Sequence, residues 1–191
     1  ITDACGNVMT VNTSSARAFT SATDGAGRNT GATTGTRMTA LWGPEGSTKK
    51  LSFTYNAAGD LTKIQHQDGA VINYTYDANH LLLTATNLDG YKVSYTYTAA
   101  EPYRVTSVEF SNGSVKYGGR KYEYKDCMTV VTDLIPNAAG TALTEGKSLF
   151  YHFNDYGNVV SVNDQLGYAC FAQYSDDLPA NHPEVPSKMQ R

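Results

Sequence analysis

Residues able to do chemistry are sparse in this chain, and their spacing does not assemble them into a site. The four histidines, His66, His80, His152 and His182, form no H-x-x-x-H pair or other metal-ligand spacing, so solvation or packing is their ordinary role. Asp68, Asp77 and Asp89 could in principle bind calcium or pair as general acid and base. A glycosidase-like site of that kind needs two carboxylates about 5–10 Å apart across a cleft. These aspartates, however, recur where turns recur, and turn formation is the favoured reading. Gly25-x-Gly27 and Gly31 to Gly35 meet neither the G-x-G-x-x-G nor the G-x-x-x-x-G-K spacing of phosphate loops, and no G-x-S-x-G elbow occurs. Cys5, Cys127 and Cys170 show no C-x-x-C spacing and read as buried or incidental thiols, with one disulfide and a spare thiol as the alternative in an exported protein. The expectation is a protein that is not an enzyme, with no cofactor and no metal.

The set with binding potential is aromatic: Tyr55, Tyr74, Tyr76, Tyr95 and Tyr97. A tyrosine has an apolar body and a polar tip, so a row of them suits carbohydrate or protein contact. The favoured alternative is that the rows pack on each other or on another layer.

The elements that place these tyrosines repeat. Phe53-Thr54-Tyr55-Asn56 returns 21 residues later as Tyr74-Thr75-Tyr76-Asp77, and 21 later again as Tyr95-Thr96-Tyr97-Thr98. Asp68-Gly69 recurs as Asp89-Gly90, and Leu61 as Leu82. Alternation of Leu51, Phe53 and Tyr55 with Ser52 and Thr54 predicts a strand with one apolar face. A turn signal follows at Asn56 to Gly59 or Asp77 to His80, then a second strand and a second turn at Asp-Gly. One repeat is thus two antiparallel strands and two tight turns, with equivalent tyrosines roughly 9.5 Å apart. Leu61 and Ile64 are three apart, as are Leu82 and Ala85, which predicts a bulge or a leucine still in the turn.

These residues resemble the YD repeats of Rhs-type proteins, at 51–71 and 72–92 and more loosely at 93–115 and 149–171. In the third unit Val105 and Asn112-Gly113 fall two residues late, which predicts an insertion over Ala99 to Tyr103. The resemblance implies a fragment of a larger bacterial Rhs-like or wall-associated surface protein, extracellular or at the cell surface. It implies an all-β fold, an elongated twisted antiparallel sheet of consecutive hairpins that can curl into part of a shell. It also implies a scaffold, shell-wall or adhesion role, with a carbohydrate-binding module as the alternative. Expected partners are the neighbouring repeats, a carbohydrate or protein ligand at the tyrosine face, and a second copy through an edge strand. The self-cleaving Rhs core carries Asp-Pro, which this chain lacks, so that activity is not implied.

The rest of the chain bounds these expectations. Of 191 residues, 14 are Tyr and 17 Gly, favouring sheet and turn, and a net charge of -3 gives no electrostatic case for nucleic acid. No apolar run approaches the ~20 residues of a membrane span. The expected organisation is an end of a preceding repeat plus a Ser/Thr/Gly-rich linker over 1–50, and a hairpin array over 51–133. A hairpin around Gly118-Gly119 belongs to that array. A loop over 134–146, a final repeat over 147–174 and a Pro-containing extended tail over 175–191 complete it.

Overall fold

The computed structural model describes residues 1–14, 18–174 and 186–190, which form an all-β antiparallel array. Two compact units divide at Gly90 and Tyr91. The first holds β1 (Thr10–Thr13), β2 (Phe19–Thr23), β3 (Asn29–Thr34), β4 (Met38–Trp42), β5 (Lys50–Tyr55), β6 (Leu61–His66), β7 (Val71–Tyr76) and β8 (Leu82–Asn87). Each strand pairs antiparallel with the next in the chain. The second holds β9 (Tyr91–Tyr97), β10 (Val105–Asn112), β11 (Val115–Lys125), β12 (Met128–Pro136), β13 (Leu143–Phe153), β14 (Val159–Asp164), β15 (Ala169–Tyr174) and β16 (Pro186–Gln190), again paired in chain order.

Register sorts the side chains of the first unit onto two faces. Leu41 faces Leu51, Phe53 faces Ile64, Ile64 faces Ile72 and Tyr74 faces Ala85, so apolar groups run across strands. On the other face Thr54 sits opposite Lys63 and Thr75 opposite Thr84, the last pair joined by a hydroxyl bond of 2.7 Å. Among the described residues only Ala32, Ala40 and Val130 are buried hydrophobics, and Ser111, Thr132 and Ser148 are buried polar ones. Stability therefore rests on ladders and half-buried neighbour contacts, as in other repeat arrays.

The bulge expected beside Leu61 is present and general. In β5–β6, Thr54 faces Lys63 but Tyr55 faces Leu61, leaving Thr62 as the extra residue. Leu83 holds the same place in β7–β8, Thr39 in β3–β4, Thr20 in β1–β2, Thr106 in β9–β10 and Val160 in β13–β14. The late register of the third unit is the longer connection from Thr98 to Arg104, closed by the Thr98 N–H on the Arg104 carbonyl at 2.9 Å.

Four expectations about organisation are corrected. The stretch read as linker forms β1 to β3, because its threonines are β-branched and suit strands even without large apolar neighbours, while Thr36 to Trp42, whose weak alternation allows one strand, supplies β4. The hairpin at Gly118-Gly119 is one continuous strand, β11, with a register shift beside those glycines. A Cβ on Gly119 would collide with the Val108 carbonyl, so the pair serves close backbone approach rather than reversal. The 134–146 loop shrinks to the connection between Pro136 and Leu143, since proline is tolerated at a strand end. Of the tail, Pro186–Gln190 pairs with β15, and the remainder lies outside the described residues, as does His182. The three cysteines are free and exposed rather than buried.

Candidate functional site

The junctions between hairpins are where the repeated side chains converge, and the turns that build them share one design. An Asp or Asn oxygen accepts backbone N–H groups two to four residues ahead: Asp3 from Cys5 and Asn7, Asp24 from Ala26 and Arg28, Asp77 from Asn79 and Leu81, Asn154 from Tyr156 and Asn158. Asn56 and Asp164 act alike. Three residues beyond the Asx stands a residue with left-handed φ, which is glycine at Gly6, Gly27, Gly59, Gly157 and Gly167 and is His80 at 64° in the Asp77 turn. Asp77 is thus a turn former, and Asp68 likewise accepts the Ala70 N–H at 2.9 Å. That bond first, then His66, holds the Asp68 carboxyl below the ordinary range.

Beyond each bulge the ladder to the next hairpin stops short. The β6–β7 ladder ends at Lys63 and Asn73, so the strands part before Leu61. There the Tyr76 hydroxyl donates to the Leu61 carbonyl at 2.9 Å. The β4–β5 ladder ends at Ala40 and Ser52, and the Tyr55 hydroxyl donates to the Met38 carbonyl at 2.8 Å. In the second unit the β10–β11 ladder ends at Ser107 and Lys121, and the Tyr124 hydroxyl donates to the Val105 carbonyl at 2.8 Å. Each accepting carbonyl belongs to the residue just before the bulged one. The tyrosine therefore closes the wedge that the bulge opens, satisfying a backbone acceptor the ladder cannot reach.

An arginine covers two of these rings. Arg37 lies 5.5 Å from the centre of Tyr55 and Arg104 lies 5.2 Å from Tyr124, each from the residue preceding the accepting carbonyl. The Arg37 guanidinium also lies over Gly59, where a Cβ would collide with it. At the Tyr76 junction the equivalent place is Asp60, bonded to the Asn56 amide at 2.9 Å and to His80 Nδ1 at 2.9 and 3.0 Å. Burial first, then the Asp60 charge, raises the Tyr76 phenol above its ordinary value of 10.0.

Of the five tyrosines singled out by sequence, Tyr55 and Tyr76 are thus hairpin-to-hairpin donors, while Tyr74 faces Ala85, Tyr95 faces Val108 and Tyr97 faces Val105, all half-buried in the sheet. Spacing did not point to Tyr124, Tyr91 or Tyr117. The last two stack with ring centres 5.8 Å apart and are 53% and 51% exposed. Burial, then Tyr91, raises the Tyr117 phenol.

A separate depression lies at the Asp-Gly end of the first unit. An apolar hollow of about 280 Å³ is lined by Leu51, Ile64, Val71, Ile72 and Leu88, with His66 at its border. A second hollow of about 580 Å³ shares His66 and is bordered by Pro44, Glu45, Lys49 and Asp68. His66 Nδ1 is 2.7 Å from Asp68 and Lys49 is 2.5 Å from Glu45, so the polar groups there already have partners, in exposed contacts. Among the described residues no group of three His, Cys, Asp or Glu could hold a metal ion.

Comparison with known proteins places these junctions in a context. Residues 55–92 match the family model RHS Repeat. The chain is similar in fold to TcdB2-TccC3-TEV, with TM-score 0.62 and 15% identity over 87% of this chain and 10% of that one. It is similarly like TcdB2-TccC3-Cdc42, with TM-score 0.59 and 14% identity over 88% of this chain and 10% of that one. The Photorhabdus luminescens Tc holotoxin pore gives TM-score 0.60 and 14% identity over 87% and 10%. The chain thus spans about a tenth of the length of these structures. No curated protein sequence matches it.

Proposed function

We propose, taking residues 55–92 as Rhs repeats, that this chain is a non-catalytic wall segment of a larger secreted or cell-surface bacterial protein. One observation carries the reading. Two tyrosines of the repeat, Tyr55 and Tyr76, turn their hydroxyls onto carbonyls of the preceding hairpin, as Tyr124 does in the second unit, so these residues join hairpins rather than meet a ligand. The likeness in fold to a tenth of the much longer TcdB2-TccC3 chains supports a repeat-segment role through fold alone. A Tyr55→Phe, Tyr76→Phe double variant of the full chain is expected to lose stability while leaving any partner contact unchanged. A variant that keeps full stability and loses a partner would overturn the reading.

Carbohydrate contact is a second reading, and the Tyr91–Tyr117 stack is what favours it. Two exposed rings side by side offer an apolar platform of the sort a sugar face covers. On a glycan array, Tyr117→Ala should then abolish binding without unfolding the chain. An array blank for the unaltered protein ends that reading.

A further inference from the structure

We infer that the apolar hollow of the first unit is a receptor for one tyrosyl ring presented by a partner polypeptide, seated over Ala70 against Leu51, Ile64, Ile72 and Leu88. The repeat itself identifies the occupant. Ala70 follows Gly69, Tyr91 follows Gly90 and Tyr168 follows Gly167. All three glycines have left-handed φ, at 97°, 83° and 87°, and each N–H donates to the carbonyl three residues back, at 3.1, 3.1 and 3.2 Å. The three turns are therefore alike, and the residue after the glycine opens the next strand in each. Where that residue is Tyr91, its ring stacks with Tyr117, half exposed on the sheet. Where it is Ala70, a methyl takes the place of the ring and a hollow of about 280 Å³ lies beside it.

Size, register and polarity fit that occupant. Sites for drug-sized ligands run to about 300–1,000 Å³, so this hollow suits a single ring. Ile72 lies two residues beyond Ala70 on the same face and stands opposite Ile64, so the two isoleucines build an apolar floor. Leu88 is 65% exposed, an apolar wall that a seated ring covers. At the border, Asp68 engages His66 Nδ1 at 2.7 Å, and Nε2 is the ring nitrogen left to meet a phenol hydroxyl. A tyrosine uses both features, burying its apolar body while its hydroxyl finds a polar partner at the rim. An aliphatic side chain uses only the first.

Titration of the full chain with N-acetyl-tyrosinamide, a capped and uncharged tyrosine, tests this through methyl resonances. Saturable shifts are expected at Leu51, Ile64, Ile72 and Leu88, and none at Leu166, which is 80% exposed on a turn. Ala70→Tyr installs the residue of the sister turns at an exposed position and should abolish the shifts while leaving the ladder amides of β6 and β7 unchanged. Leu88→Ser, at a residue too exposed to hold the fold, should weaken binding by at least about threefold through lost apolar contact. Shifts that do not saturate, that persist in Ala70→Tyr, or that N-acetyl-leucinamide reproduces with equal affinity overturn the receptor. Binding of p-cresol without binding of N-acetyl-tyrosinamide overturns it as well, because the hollow then admits a free small phenol and not a tyrosine held in a chain.

Discussion

The Tyr76 hydroxyl sits 2.9 Å from the Leu61 carbonyl oxygen, beyond the point where the ladder between their strands has ended at Lys63 and Asn73. Tyr55 with Met38 and Tyr124 with Val105 reproduce it. A bulge twists each hairpin at its turn end and parts it from the next, and the phenol spans the gap. The repeat's tyrosine is thus the counterpart of its bulge, and the two features make sense only together.

Deleting Thr62 removes the extra residue of β6, letting Leu61 follow Lys63 in a regular ladder. The Leu61 carbonyl then no longer stands in a wedge for Tyr76. Tyr76→Phe should accordingly cost less stability in the deletion background than alone, a positive coupling of at least about 0.5 kcal/mol in a double-mutant cycle read by urea unfolding. Additive effects would separate the tyrosine from the bulge.

Gly119 and Gly113 should respond in opposite ways. A Cβ at Gly119 would drive into the Val108 carbonyl and lie 3.0 Å from the Glu109 Cα, both backbone atoms that cannot swing away. Gly119→Ala is expected to destabilise by about 1–3 kcal/mol. At Gly113, φ is 55° with nothing within 4 Å of a Cβ, and asparagine tolerates that conformation. Gly113→Asn should stay within about 0.5 kcal/mol of the parent. Equal costs in urea titrations would contradict this assignment of β11.

Acid should loosen the turns late. The Asn7 amide lowers the Asp3 carboxyl, the Arg28 guanidinium lowers Asp24, the Asn56 amide lowers Asp60 and the Ala70 N–H lowers Asp68, from an ordinary 3.8. Their contribution is complete above the unfolded value and disappears as pH drops through the depressed folded values. Exchange protection of the Cys5, Arg28 and Ala70 amides should therefore hold down to about pH 4 and fall below it. Loss centred well above that would show that the carboxylates are not the acceptors.

Much of the array was legible where tyrosine and Asx-x-x-Gly signals coincide. The 21-residue return of Tyr55, Tyr76 and Tyr97 located the hairpins, and the offset of Leu61 from Ile64 located the bulge. The same hairpin went unread over 10–42, where Thr13 and Thr34 occupy the tyrosine's place opposite Phe19 and Met38. Bulge and turn persist there without the aromatic, and threonine-rich sequence looks like linker until its partners are known. Gly118-Gly119 misled for the opposite reason, because a glycine pair that marks a turn also permits close backbone approach, and only Val108 across the ladder distinguishes them. The role of the tyrosines was out of reach of spacing alone, since a phenol's acceptor 15 residues back is fixed by register.

The most direct measurement is the stability of Tyr55→Phe and Tyr76→Phe, separately and together, by urea unfolding of the full chain. Each change keeps the ring and removes only the hydroxyl that meets Met38 or Leu61. A loss of about 0.5–1.5 kcal/mol for each, the worth of one hydrogen bond and its stranded acceptor, is the expected result. Phenylalanine variants as stable as the parent would mean that the hydroxyls do not hold the hairpins together.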